Sequence, residues 1–416
     1  MDSVTIVGAG VVGYASAKAL RGQGFTGRIT IVGGERHRPY DRPPLGRGFL
    51  TGQTTIGELA LEAPTDDLHV DWRLGVAAVA LDAATRRVTL ADGSTLDADA
   101  VVLTTGSTAR RIGDIPHGVH TLRTVDDALA LREELLPGAR MVVVGSGIVG
   151  LEAASTARDL GLDVTVMGST TDALRSTFGD TVAEAVFAQH ARRGIVVRTD
   201  LRVDSLLGPN WVSGVRLATG EEIGADLVLL DIGSEAQVDW LADSGLDLGP
   251  GVLCDETGAT SAPGIVAVGD CAAWFDPMLG RHRRIAHWSD SRNRAAIATA
   301  ALRGVDPGPS ASERILSTEQ AGSRVQFAGR LRGREQFTVQ AGSVATNDLF
   351  AVYRLNGEPV AALAVNQPAL MSEWHSALIE TTKPAAPTAI PPASAGRVTR
   401  ATVEVDAPVR DASALA

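Results

Sequence analysis

Short apolar runs of β type recur along the chain, and several end in glycine-rich turns that lead into helix-compatible stretches. Ser3-Val4-Thr5-Ile6-Val7 runs into Gly8-Ala9-Gly10-Val11-Val12-Gly13, and Met141-Val142-Val143-Val144 runs into Gly145-Ser146-Gly147-Ile148-Val149-Gly150. Each sequence predicts a strand, a tight turn and a helix. Ile29–Val32 and Val164–Met167 read as the second strands of the two units, with Ala100–Leu103 and Ala225–Asp231 as further core strands. Residues 77–99 alternate like a β-meander with a turn at Asp92-Gly93, and Asp126–Leu136 has the pattern of an amphipathic helix. Gly264–Asp270 predicts a buried strand ending in Gly-Asp, followed by a helix over Ser289–Leu302. Strand runs at Val325–Ala328, Gln336–Val339, Leu349–Tyr353 and Pro359–Ala364 then precede a helix over Pro368–Glu380.

This order predicts an α/β fold with two Rossmann-like dinucleotide-binding domains and a C-terminal α/β domain. The spacing of the glycines carries the expectation. One makes a tight turn, one lets backbone approach a pyrophosphate, and one lets the helix pack close to the strand. The phosphates then meet the positive end of the helix. Gly8, Gly10 and Gly13 are therefore candidate ligand residues, as are Gly145, Gly147 and Gly150. Glu35 lies 22 residues beyond Gly13, where a carboxylate is expected on an adenosine ribose. Residues 1–112 and 244–310 are expected to form one discontinuous domain, with 113–243 inserted in it. Residues 311–380 form the C-terminal domain, and 381–416 a Pro/Ala-rich tail.

Composition narrows the partners. The 416 residues allow two or three domains, and no apolar run is long enough to span a membrane. The first strand begins at about residue 3, which predicts a cytoplasmic protein without a signal peptide. A net charge of −11 argues against nucleic acid as a general partner. Only two cysteines occur, Cys254 and Cys271, and their spacing suggests neither a metal site nor a redox-active dithiol. Electrons handled by such a chain must leave by another route.

Four motifs in order then carry a resemblance: Gly8–Gly13, Tyr40-Asp41-Arg42-Pro43-Pro44-Leu45, Thr104-Thr105-Gly106 and Gly264–Asp270. Over roughly residues 3 to 375 the chain resembles the FAD-dependent ferredoxin and rubredoxin reductases of the pyridine nucleotide-disulfide oxidoreductase superfamily. The resemblance implies FAD in the first unit and a NAD(P)H-type domain inserted after it. It implies that Gly8, Gly10 and Gly13 face the FAD pyrophosphate, that Glu35 binds its ribose, and that Arg42 and Pro43 lie on the flavin side. Thr105 and Gly106 would approach the FAD, and Asp270 would accept from the ribityl chain. The implied activity is transfer of a hydride to FAD and of electrons to a small ferredoxin-type carrier. Arg281, Arg283, Arg284, Arg292 and Arg294 offer a basic docking patch for it.

Departures from the family pattern cluster near the flavin and the nicotinamide. Arg47 stands where the family has lysine, and its implied carboxylate partner is Glu152. Gly168 stands where NADH-using relatives carry the ribose-binding glutamate, and the nearby Asp172 would repel a 2′-phosphate. Use of NADH or NADPH is therefore in doubt. Ala286 replaces a glutamate ahead of His287-Trp288, and Ile315-Leu316-Ser317-Thr318 replaces an aromatic element. These differences motivate an alternative, a flavoenzyme acting directly on a small organic substrate as an oxidase or dehydrogenase. In it His287 is a candidate acid/base and Trp288 a platform at the flavin. A third class is a flavin-bound interaction protein whose tail, with Val398–Val405, serves contacts between copies; a homo-oligomer is compatible with it.

Overall fold

Two parallel sheets and one antiparallel sheet organise the chain, each five-stranded among the described residues. The structure is a computed structural model that describes residues 1–381, except Pro64, Asp114, 170–172, Met278, 285–287, 308–314, Arg330 and Arg332. Ala286, His287, Asp172 and the tail from 382 thus lie outside the described residues, as do the side chains of Trp288 and Arg292.

The first sheet runs in the order Ile265–Ala267, Ala100–Leu103, Ser3–Val7, Arg28–Gly33, Val70–Leu74, with every pair parallel. Its inner strands are largely apolar because both faces are covered, as a parallel sheet requires, whereas the edge strand Val70–Leu74 alternates and exposes Asp71 and Arg73. The strand Ile265–Ala267 comes from far along the chain and pairs residue by residue with 101–103. It continues into Gly269–Cys271, a single 3-10 turn, and then into the strand Ala272–Asp276. Asp270 therefore caps no following helix.

The middle sheet repeats the plan: Val196–Arg198, Asp163–Met167, Arg140–Val144, Leu227–Leu230, Val119–His120, again all parallel. The registers correspond. Val7 pairs with Val32 and with Leu103, and Val144 pairs with Met167 and with Leu230. The helix ahead of this sheet is Val125–Glu134, two residues shorter at its end than the sequence pattern suggests. Thr124 and Asp127 start it with a reciprocal capping box. Leu136, expected on its apolar face, lies beyond its end and is exposed.

The third sheet is antiparallel, Leu316–Gln320, Ser323–Gly329, Glu358–Val365, Asp348–Leu355, Gln336–Ser343, with the helix Pro368–Thr381 packed on it. It shares one apolar core with the middle unit. Phe178 meets Phe327 edge to face at 5.5 Å between ring centroids, and its carbonyl accepts a hydrogen bond of 2.6 Å from the Tyr353 hydroxyl. Tyr40, Leu45 and Phe49 of the first unit belong to the same core. No helix among the described residues is long and apolar enough to cross a membrane.

Phe178 is 1% exposed and sits where the two units meet. Phe178→Ala should cost about 3–5 kcal/mol, because a cavity opens between surfaces that cannot collapse independently. Urea denaturation followed by circular dichroism measures this, and a loss below about 1 kcal/mol would mean the units are not joined through this ring.

Candidate functional site

Both glycine turns sit at the carboxyl ends of the central strands, where open α/β sheets bind ligands. At the first turn, Gly8 has φ +123°, and a Cβ on it would lie 2.1 Å from the Thr104 carbonyl oxygen. A Cβ on Gly13 would lie 1.9 Å from the Gly8 carbonyl oxygen. Gly10 differs: no described residue lies within 4 Å of the position its Cβ would take. Two glycines thus answer to the protein's own packing, whereas the third faces open space. The helix Val11–Gly22 that starts here has no side-chain cap and no acidic residue in its first turn. Its end suits an anion. Thr104 steadies the turn, since its hydroxyl lies 3.1 Å from the Val7 carbonyl and 2.9 Å from that of Gly8 and donates to them.

The other residues expected on this side fall around it. Glu35 accepts from the Tyr40 hydroxyl at 2.6 Å and from Arg42 at 2.9 Å, so the Tyr40–Leu45 segment is tied to the Glu35 carboxylate. Pro43 opens a 3-10 turn, Pro43–Gly46. Thr105 donates its hydroxyl to the Gln237 carbonyl at 2.8 Å, and the Gln237 N–H returns a bond to the Gly106 carbonyl at 3.0 Å. Asp270 accepts from Ser107 at 2.9 Å and from Arg123 at 2.5 Å. An unobstructed glycine, an uncapped helix end and two oriented carboxylates fit a flavin dinucleotide.

The second turn carries an additional group. A Cβ on Gly145 would meet the Asp231 carbonyl at 2.0 Å, as Gly8 meets Thr104. By register, Asp231 is the counterpart of Thr104. Its carboxylate accepts the Gly150 N–H at 2.8 Å, inside the first turn of the helix Ile148–Asp159. Burial raises its pKa, opposed by the N–H groups of Gly150 and Gly147. A Cβ on Gly150 would fall 2.7 Å from that carboxylate. Gly147 is the helix N-cap.

Arg47 and Glu152 come together where all three sheets meet. Arg47 lies 3.7 Å from Glu152 and makes a shorter bond, 2.8 Å, to Glu319 of the antiparallel sheet. Glu152 is buried and also accepts from the Thr318 hydroxyl at 2.5 Å and the Glu319 N–H at 3.1 Å. Thr318 and Gln320 point into this junction, while Ser317 is on the exposed side of the strand. The Ile315–Thr318 segment thus presents a polar anchor to Glu152. Trp288 opens the helix Trp288–Arg303. Arg281, Arg283 and Arg284 lie on the strand Arg281–Arg284, with Arg283 3.5 Å from Asp276 and Arg284 donating to the Ser234 carbonyl at 2.6 Å. Arg294 stacks over Trp274 at 4.5 Å. Both cysteines are buried and free, and burial pushes the Cys254 thiol up to about 12 and raises that of Cys271. Neither supplies a reactive thiolate. Among the described residues no cluster could hold a metal ion.

Sequence reasoning missed Arg123, Asp231, Thr318 and Glu319. Asp231 could have been found by aligning the two strand–turn–helix copies through their third strands. Thr318 ends the Ile315–Thr318 element and Glu319 follows it, but their contacts, like that of Arg123, are set only by tertiary packing.

Two dinucleotide folds facing one polar junction, in a chain without an available thiol, define an FAD-dependent oxidoreductase of the two-nucleotide type. The chain belongs to the pyridine nucleotide-disulphide oxidoreductase family, whose model matches residues 2–295. It is 35% identical to the biphenyl dioxygenase system ferredoxin–NAD(+) reductase component of Paraburkholderia xenovorans over 372 residues, covering 88% of this chain and 90% of that protein. It is 33% identical to the ferredoxin–NAD(P)(+) reductase of a Sphingomonas species over 371 residues, covering 87% of this chain and 89% of the relative. The reductase in the crystal structure of the covalent putidaredoxin reductase–putidaredoxin complex is similar in fold, with a TM-score of 0.83 and 28% identity, covering 91% of this chain and 93% of that one. The doubt that Gly168 placed on nicotinamide use is not borne out. The family is one of pyridine nucleotide enzymes, and the Paraburkholderia relative is named for NAD(+).

The geometry of the two sites can be tested separately. Gly10→Ala should leave the circular dichroism spectrum intact and lose FAD, read as flavin absorbance per protein, whereas Gly8→Ala should disturb the fold itself. Retention of full flavin by Gly10→Ala would mean that the open side is not the pyrophosphate side. The second test concerns Glu152, whose carboxyl is raised above its ordinary 4.5 chiefly by burial, with the Thr318 bond and Arg47 opposing. A raised carboxyl contributes stability that is complete below its unfolded pKa and is lost as pH rises through the folded one. Glu152→Gln should therefore gain in melting temperature over wild type as pH rises above 4.5. A difference that does not change with pH would contradict this.

Proposed function

We propose that this chain is an NAD(P)H-dependent ferredoxin reductase. The reading takes the middle unit, 113–243, as the nicotinamide side and the first unit, 1–112 with 244–310, as the FAD side. Residues 311–380 form the domain that closes the junction, and 381–416 a tail. The observation that carries it is the pair of like turns on separate parallel sheets in a chain whose two thiols are both buried. Electrons entering at the second turn have no dithiol to visit, so they leave the flavin for an external carrier. FAD supplies the conversion between a hydride pair and single electrons.

The residues then take roles in binding and charge placement. Gly8, Gly10 and Gly13 with the helix end receive the FAD pyrophosphate, Glu35 the adenosine ribose, and Asp270 a ribityl hydroxyl. Arg42, Pro43, Thr105 and Gly106 complete that wall. Gly145, Gly147 and Gly150 receive the nicotinamide pyrophosphate. Arg47 holds fixed positive charge at the meeting of the units, shared between Glu152 and Glu319. Its planar guanidinium presents separate N–H groups to the two carboxylates, as a compact ammonium would not. The relatives support the acceptor: one is the ferredoxin reductase of a dioxygenase system, and another is held in a putidaredoxin complex. The strand Arg281–Arg284 offers positive charge for such a carrier on a chain of net charge −11.

Anaerobic mixing with NADH should bleach the oxidised flavin spectrum, and adding a ferredoxin should restore it. Absence of bleaching in a protein still reducible by dithionite would sink this reading and favour a small organic substrate. Arg281→Glu should raise KM for the ferredoxin about tenfold at low salt. Flavin reduction by NADH should be unchanged in the same variant. An unaltered KM would remove the Arg281–Arg284 strand from docking.

A further inference from the structure

The two nucleotide turns correspond residue for residue, and the correspondence breaks at the ribose end of the second. Val32 and Met167 hold equivalent places beside the central strands, so Gly33 and Gly168 are counterparts. In the first unit a Cβ on Gly33 would lie 2.4 Å from the Ala9 Cβ. The carboxylate there is rooted two residues on, at Glu35. In the second unit the residue two positions past Gly168 is Thr170, so no carboxylate stands at either place. The next one along the chain is Asp172.

A Cβ on Gly168 would lie 2.4 Å from the Ser146 hydroxyl oxygen and 3.0 Å from the Ser146 Cβ. Ser146 is 2% exposed, and its hydroxyl oxygen has no hydrogen-bond partner among the described residues. Two backbone hydrogen bonds hold Gly168 in place against this contact. Its N–H donates to the Arg198 carbonyl at 2.8 Å, and its own carbonyl accepts the Leu201 N–H at 3.0 Å. Its φ lies outside the left-handed range, so the backbone would admit a side chain. Among the described residues the obstruction is Ser146 alone.

We propose that Ser146 determines nucleotide specificity by occupying the root of a ribose-binding carboxylate. With Ser146 in place, residue 168 is confined to glycine, and the adenosine ribose is bound without a carboxylate on its 2′ position. NADH and NADPH are then distinguished weakly, since nothing at 168 either bonds the 2′-hydroxyl or repels a 2′-phosphate. The inference rests on the middle unit being the nicotinamide site.

The test compares wild type, Gly168→Glu, Ser146→Gly and the double variant, each by melting temperature and by kcat/KM for flavin reduction with NADH and with NADPH. Wild type should use the two nucleotides within about tenfold of each other. Gly168→Glu alone should melt lower and gain no selectivity. Adding Ser146→Gly should restore the melting temperature and shift preference towards NADH by about 10- to 100-fold, the range of a hydrogen bond to a charged group. Effects of the two substitutions that simply add, in melting temperature or in selectivity, would overturn the role of Ser146. So would a wild-type preference above about a hundredfold, or Asp172→Ala opening NADPH use by about tenfold or more, since a carboxylate would then already discriminate. A flavin that neither nucleotide bleaches in any variant would instead overturn the nicotinamide reading and this inference with it. The additive outcome, with bleaching intact, overturns the inference only.

Discussion

The approach of a strand-end carbonyl to a glycine holds each nucleotide turn in place. At Thr104–Gly8 and at Asp231–Gly145, the carbonyl of one strand lies where any side chain on the other would have to go. That contact seats each helix against its sheet and fixes where its amino end points. The parallel registers are aligned to it, with Val7 beside Leu103 and Val144 beside Leu230. The two sites then diverge at the residue that ends the third strand. A threonine hydroxyl there bonds to the carbonyls of the first turn, whereas a carboxylate bonds to the helix N–H groups of the second. The first arrangement leaves the helix end to a ligand; the second has an acidic group already among its donors.

The junction of Arg47, Glu152, Thr318 and Glu319 depends on the shared core. Glu152 comes from the middle unit, Arg47 from the first and Thr318 and Glu319 from the third, and none reaches the others without the packing around Phe178, Phe327 and Tyr353. A buried carboxylate with several donors is costly to strip of partners and costly to leave charged without them. The three sheets are thus coupled by polar bonds at one place and apolar contact at another.

The strand–turn–helix units were legible because their pattern is local: apolar runs for strands buried on both faces, and glycines at fixed spacing. The end of the helix Val125–Glu134 was less so, since the apolar pattern continues past it and the capping that sets its start is a side-chain matter. Arg47 beside Glu152 could be anticipated from the resemblance, but Glu319, which binds Arg47 more closely, could not. It sits on a strand whose register against the middle helix is set by the third sheet. Ser146 shows the same limit. Its neighbour Gly168 looked like a missing side chain in the sequence, and only the three-dimensional contact shows that a Cβ there would press on Ser146.

Burial of both cysteines has a consequence for durability. Peroxide attacks sulfur as thiolate. With Cys254 raised to about 12 and Cys271 fully enclosed, almost none of either thiol is in that form near neutrality. Such a chain offers peroxide little thiolate to attack, and thiol-blocking reagents would find little to modify.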